Sequence, residues 1–143
     1  MYFLDASVIV AILKPEADAE TWVSRLEQLG GPFFVSPLVR MEAMLAVTRA
    51  KADAIPQGKR SLPQIMVAAA AAVDQFIDAL DAHDMAITPA VGAFAKDESI
   101  RYGKVAGHPA RLNMGDVFAY GCAKSAGLSL VYKGDDFTQT DLA

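Results

Sequence analysis

The chain has 143 residues, a net charge of -4 and a pI near 5.0, a length that suits one domain able to bury roughly 68–70% of its unfolded surface. Hydrophobic residues make up 53% and charged residues 21% of it, which excludes a disordered or fibrous chain. The acidic balance provides no overall positive field of the kind that draws nucleic acid.

The single cysteine, Cys122, cannot close an internal disulfide and offers no Cys/His zinc spacing, so a reducing, cytoplasmic compartment is expected. The apolar N-terminal run has no basic segment and is broken by Asp5, and the most apolar later stretch, 65–73, is about half the ~20 residues a bilayer span needs. Neither a signal peptide nor a membrane span is expected.

In chain order, Tyr2-Phe3-Leu4 reads as a strand, and Asp5-Ala6-Ser7 supplies cap residues for a helix ending at Pro15. Residues 16–29 place Trp22, Val23, Leu26 and Leu29 at helical spacing before a Gly30-Gly31 stop. Phe33-Phe34-Val35 is a second strand, and Ser36-Pro37 opens a helix to about residue 52. A loop over 53–61 precedes a long helix over 63–81, whose successive alanines suit close packing. Met85-Ala86-Ile87 reads as a third strand and Thr88-Pro89 as a helix start, followed by a basic, glycine-rich loop over 101–111. Asn113 opens the last helix, Gly127 stops it, and 128–132 reads as a fourth strand. This alternation is that of an α/β chain with a parallel sheet covered on both faces.

In such folds ligands gather beyond the carboxyl ends of the strands. Asp5 follows the first strand, Asp135-Asp136 follow the last, Asp116 begins the helix leading into it, and Glu42 lies one turn into the helix after the second. Glu42 interrupts an apolar stripe formed with Leu38 and Leu45. Each acid also has an ordinary explanation: Asp5 and Asp116 as helix-cap residues, Asp135 or Asp136 as turn residues, Glu42 as an ion-pair partner. Carboxylates without matching histidines or cysteines suit an oxygen-loving cation such as Mg2+ or Mn2+. His83 and His108 read as exposed or structural, and Ser7 as a hydrogen-bonding support for the acids.

Leu4-Asp5-Ala6-Ser7, Glu42, Asn113-Met114-Gly115-Asp116 and Tyr132-Lys133-Gly134-Asp135-Asp136-Phe137 together resemble the PIN-domain ribonucleases, and among them the VapC toxins of VapBC toxin-antitoxin systems. The resemblance spans essentially the whole chain, as a single PIN domain over 1–143. It implies a three-layer α/β/α fold with about four short parallel strands, and a metal-dependent endoribonuclease. Its catalytic and metal-holding roles fall on Asp5, Glu42, Asp116 and the Asp135-Asp136 pair, of which Asp136 is preferred because it keeps the Asp-Phe adjacency. Ser7, Asn113 and Asp135 would support them. The resemblance also implies one or two Mg2+ or Mn2+ ions, a homodimer and a cognate antitoxin.

RNA would reach this acidic pocket along two basic stretches. Arg40 and Arg49 belong to one, with Lys51, Lys59 and Arg60; Lys96, Arg101, Lys104 and Arg111 belong to the other. Tyr102 could stack on a base, whereas Tyr120 reads as core. Once the four acids are set aside, the remaining acidic and basic residues balance, so the net charge is that of the proposed metal site. The alternative reading is an inactive PIN domain that only binds RNA or protein.

Overall fold

The computed structural model describes residues 1–14 and 16–142. The expected helix stop at Pro15 lies outside the described residues. Strand β1 (Tyr2–Leu4) is wholly apolar, with Phe3 and Leu4 buried. Helix α1 (Ala6–Leu13) follows at once, capped by Asp5 in extended conformation, whose carboxylate accepts the Ser7 N–H at 3.0 Å. Helix α2 (Ala19–Leu29) buries Trp22 and Leu26. It begins three residues later than the spacing suggests. Glu16 and Asp18 instead accept from the Lys133 ammonium, and Asp18 also accepts from Trp22 Nε1 at 3.0 Å. Gly30 ends α2 at φ +69°, a conformation costly for any residue with a Cβ.

Strand β2 (Phe33–Val35) leads into α3 (Pro37–Asp53), where the Ser36 hydroxyl accepts the Val39 N–H and Pro37 occupies the first turn. After a 3-10 turn (Gln57–Lys59), α4 (Leu62–Ala79) packs on α3 through Ala69, Val73 and Ile77. Of the alanine run only Ala69 is fully buried.

Strand β3 is His83–Asp84, not the expected Met85-Ala86-Ile87. Pairing with β2 decides its position: Phe34 aligns with His83 and Val35 with Asp84, while Met85 contributes one N–H to Val35 O at 2.8 Å. Thr88 then caps α5 (Pro89–Tyr102), accepting from Val91 N–H, and ends the extended segment. Because α5 runs through Tyr102, the expected loop starts two residues late. Helix α6 (Met114–Ala126) ends at Gly127, and β4 is Ser129–Val131.

The four strands are parallel in the order β3-β2-β1-β4, and with six helices they form a three-layer α/β/α fold. The chain steps outward from β1 through β2 to β3, then returns to place β4 on the other side of β1. That reversal puts the switch point, where α/β folds form their crevice, at the carboxyl ends of β1 and β4. Phe3, Leu4, Val8, Ile9, Val35 and Val39 fill the core, and Phe137 closes it edge-on to Tyr132. No described helix is long and apolar enough to cross a membrane.

Candidate active site

The switch point opens into a cleft of about 420 Å³ lined by Asp5, Glu42, Asp116 and Asp136, with Ser7 and Arg49 also in its wall. A larger groove of about 720 Å³ lies beside β4, but its one carboxylate, Asp141, is ion-paired with Lys124. Four acids from four separate parts of the chain therefore share a single depression. Asp135 does not line it; its carbonyl instead accepts from the Thr138 N–H and hydroxyl in a turn.

Local structure holds these groups in place. Asp5 is buried at the end of β1, and its Oδ2 accepts both the Ser7 N–H at 3.0 Å and the Ser7 hydroxyl at 2.5 Å. Ser7 Oγ in turn accepts the Lys133 N–H at 2.9 Å, which ties the segment after β4 to the segment after β1. Asp116 is the third residue of α6 and forms a reciprocal box with Asn113: Asn113 N–H donates to Asp116 Oδ2 at 2.8 Å, and Asp116 N–H donates to Asn113 Oδ1 at 3.1 Å. Asp5 and Asp116 thus fill their helix-cap roles and line the cleft at the same time. Glu42 projects from α3 toward Gly115, where a Cβ would collide with its carboxylate.

Electrostatics record the crowding. Burial, followed by the charges of Asp5 and Asp116, pushes Glu42 up to about 7. Asp116 is raised to about 6, chiefly by burial and further by Asp136 and Asp5, against the lowering hydrogen bond from Asn113. Burial raises Asp5 too, with Asp136 adding to it and the Ser7 hydrogen bonds opposing it. Such a cluster gains from any cation that relieves the repulsion. The donor set is all oxygen, and the space left by Gly115 admits the Glu42 carboxylate, so the residues fit a hard divalent ion. Among the described residues no three acids, histidines or cysteines already converge as a finished cage.

The basic residues divide differently from expectation. Arg40 is committed to the scaffold: its Nη1 meets Asp74 at 2.7 Å, and its Nε and Nη2 grip Asp84 at 2.9 and 2.8 Å, joining α3 to α4 and β3. Arg101 lies over the Tyr102 ring and 3.9 Å from Glu98. Arg49 alone of the nine cations in the two basic stretches lines the acid cleft; Lys96 and Lys104 line another groove, and Arg111 is exposed at φ +52°. His108 accepts the Ala110 N–H through Nδ1 and meets Tyr102 edge-on, and His83 is exposed on β3. Tyr120 is buried, as its apolar helix suggests.

Sequence reading missed two features. One is the Lys133 clamp onto Glu16 and Asp18, whose partners lie more than a hundred positions apart. The other is Glu98, only 1% exposed, with Oε1 lacking a hydrogen bond; no local pattern announces it.

A parallel four-stranded α/β/α sandwich whose acids meet beyond β1 and β4 is the arrangement of the PIN domain, and residues 2–142 match the model of that family. The chain belongs to the PIN domain family. It is 51% identical over 142 residues to a VapC ribonuclease of Rhizobium meliloti (strain 1021), covering 99% of both chains. It is 35% identical to Ribonuclease VapC42 of Mycobacterium tuberculosis (strain ATCC 25618 / H37Rv), over 97% of this chain and 95% of the relative. Ribonuclease VapC30 of the same strain is 32% identical, over 98% and 95%.

Proposed function

We propose that this chain is a divalent-metal-dependent endoribonuclease of the VapC class, the toxin of a toxin-antitoxin pair, with Asp5, Glu42, Asp116 and Asp136 as its metal-holding and catalytic acids. The observation that carries this reading is that those four carboxylates, from four separate parts of the chain, line one cleft. Full-length similarity to VapC ribonucleases supports the substrate class.

Asp5, Glu42, Asp116 and Asp136 would hold Mg2+ or Mn2+, which would supply Lewis-acid polarisation of a phosphate oxygen and neutralise the cluster. The chain's own residues do the rest. Ser7 fixes the Asp5 carboxylate, Asn113 fixes that of Asp116, and Glu42, raised to about 7 in the metal-free cluster, gives up its proton as a cation binds. Arg49, in the cleft wall, would meet a phosphate of the substrate strand. Lys96, Lys104 and Arg111 extend the cationic track, from which Arg40 is withdrawn by its two aspartates. A cognate antitoxin and a second copy of the chain are the protein partners of this reading. The buried thiol of Cys122 suits a reducing, cytoplasmic setting.

Cleavage of a structured RNA pool by the purified chain, with Mg2+ or Mn2+ and with excess chelator, tests it. Metal-dependent cleavage that Asp5→Asn and Asp116→Asn each abolish is expected. Equal activity with chelator would overturn the mechanism. A folded protein that cleaves nothing with either ion would favour the binding-module alternative.

A further inference from the structure

The helices α5 and α6 and the loop 103–113 between them enclose a groove of about 410 Å³, within the roughly 300–1,000 Å³ typical of small-molecule sites. Its lining is largely apolar. Met114 is 74% exposed and Val105 fully exposed, while Phe118 presents a half-buried ring to the same space. Exposed apolar side chains gathered in a concave surface are not explained by the core of this fold.

The groove is held rather than floppy. Lys104 N–H donates to Leu112 O at 3.0 Å, and Leu112 N–H donates to Tyr102 O at 3.1 Å, pinning both ends of the loop. Lys104 and Val105 are thereby fixed opposite the start of α6. Lys96 on α5 and Lys104 on the loop are both exposed in the groove lining, and among the described residues neither enters an ion pair. Two uncommitted cations on an aromatic and thioether surface are the combination that suits a phosphate carrying a flat, unsaturated ring: stacking on an aromatic tolerates any base, and a methionine sulfur adds a favourable contact at a ring edge.

The groove is separated from the acid cleft by the first turn of α6. Asn113 and Met114 line the groove, and Asn113 is the residue whose backbone and side chain bracket Asp116. One turn of α6 therefore has the groove on one side and a proposed catalytic acid on the other.

We infer that the α5–α6 groove is a nucleotide subsite, taking one unpaired base of the RNA against Phe118 and Met114 and its phosphate at Lys96 and Lys104, next to the position of cleavage. The identity of the occupant rests on the ribonuclease reading; the shape and charge of the groove do not. An RNA held this way enters as single strand, because a base engaged in pairing cannot lie against Phe118.

The methyl carbon of Met114 is a direct probe. In the full chain carrying 13C-methyl methionine, without metal, AMP and UMP are titrated separately, with ribose 5-phosphate as the base-free control and the Met41 methyl, exposed on α3, as the remote reference. Saturable shifts at Met114 with both nucleotides, absent with ribose 5-phosphate and absent at Met41, are expected. The double variant Lys96→Glu/Lys104→Glu, changed at two exposed positions, should weaken the nucleotide Kd read at the Met114 methyl by about tenfold. No shift at Met114, or equal shifts with ribose 5-phosphate, would overturn the subsite. A Met114 resonance that moves with protein concentration alone would assign the groove to a second copy of the chain and overturn it as well. Cleavage is not the readout, so an intact titration in a protein that cuts no RNA would remove the nuclease reading and leave the groove, whereas a missing titration in an active nuclease would do the reverse.

Discussion

The carboxylate of Glu42 occupies space that is free only because Gly115, one residue before Asp116, has no side chain. An acid on α3 and a glycine on α6 are thus fitted to each other across the cleft. Gly115→Ala would favour the helix by up to ~1 kcal/mol while pushing the Glu42 carboxylate aside. The variant is expected to melt near the parent temperature yet lose at least about tenfold in affinity for Mn2+, measured by calorimetry.

Ser7 stands between two segments, donating to Asp5 and accepting from Lys133. Ser7→Ala should lower activity or metal affinity roughly 10–100-fold, and Ser7→Thr, which keeps the hydroxyl, should recover most of it. Metal titrations of both variants at fixed RNA separate this from a simple loss of fold.

The pH dependence of stability follows from the raised carboxylates. Glu42 moves from 4.5 in the unfolded chain to about 7 in the folded one, so the native state binds more protons between those values. Stability of the metal-free protein therefore falls as pH rises from about 4.5 through about 7, and Asp116, raised to about 6, acts in the same direction. Added Mn2+ should accordingly raise the melting temperature more at pH 8 than at pH 5.5. Glu42→Gln should stabilise the metal-free protein at pH 8 and abolish its cleavage. A metal increment that is flat with pH would contradict this.

Two arginines nine residues apart should behave oppositely. Arg49→Ala is expected to weaken RNA binding and reduce the salt slope by about 1, with little change in melting. Arg40→Ala removes the bridge to Asp74 and Asp84, in which the arginine is only 23% exposed; it should lower stability by up to about 1 kcal/mol and leave the salt slope alone. Fluorescence anisotropy across a salt series distinguishes them.

The legible parts of this chain were those written locally. Ser36-Pro37, Thr88-Pro89 and the Asn113/Asp116 box are cap signals that act within a few residues, and helix starts followed from them. Glu42 stood out because a charge interrupts an apolar stripe. Apolar content points to Met85-Ala86-Ile87 as the third strand, whereas an exposed edge strand is fixed by hydrogen bonds to its neighbour, here at His83–Asp84. Arg40 looked like a free cation because Asp74 and Asp84 lie 34 and 44 residues away. Burial of Glu98 likewise depends on how α5 meets α6, which no short pattern records.

Asp5 and Asp116 each cap a helix with the same carboxylate that faces the cleft. Asparagine caps nearly as well as aspartate, whereas alanine costs ~0.5–2 kcal/mol. On the proposed reading the scaffold would tolerate disarming: exchanging one carboxylate oxygen for an amide nitrogen at either position would leave the architecture standing while silencing the chemistry. For a nuclease harmful to its own host, loss of toxicity can then be selected without loss of the folded body, and a silent copy would still present every other surface of the molecule to its partners.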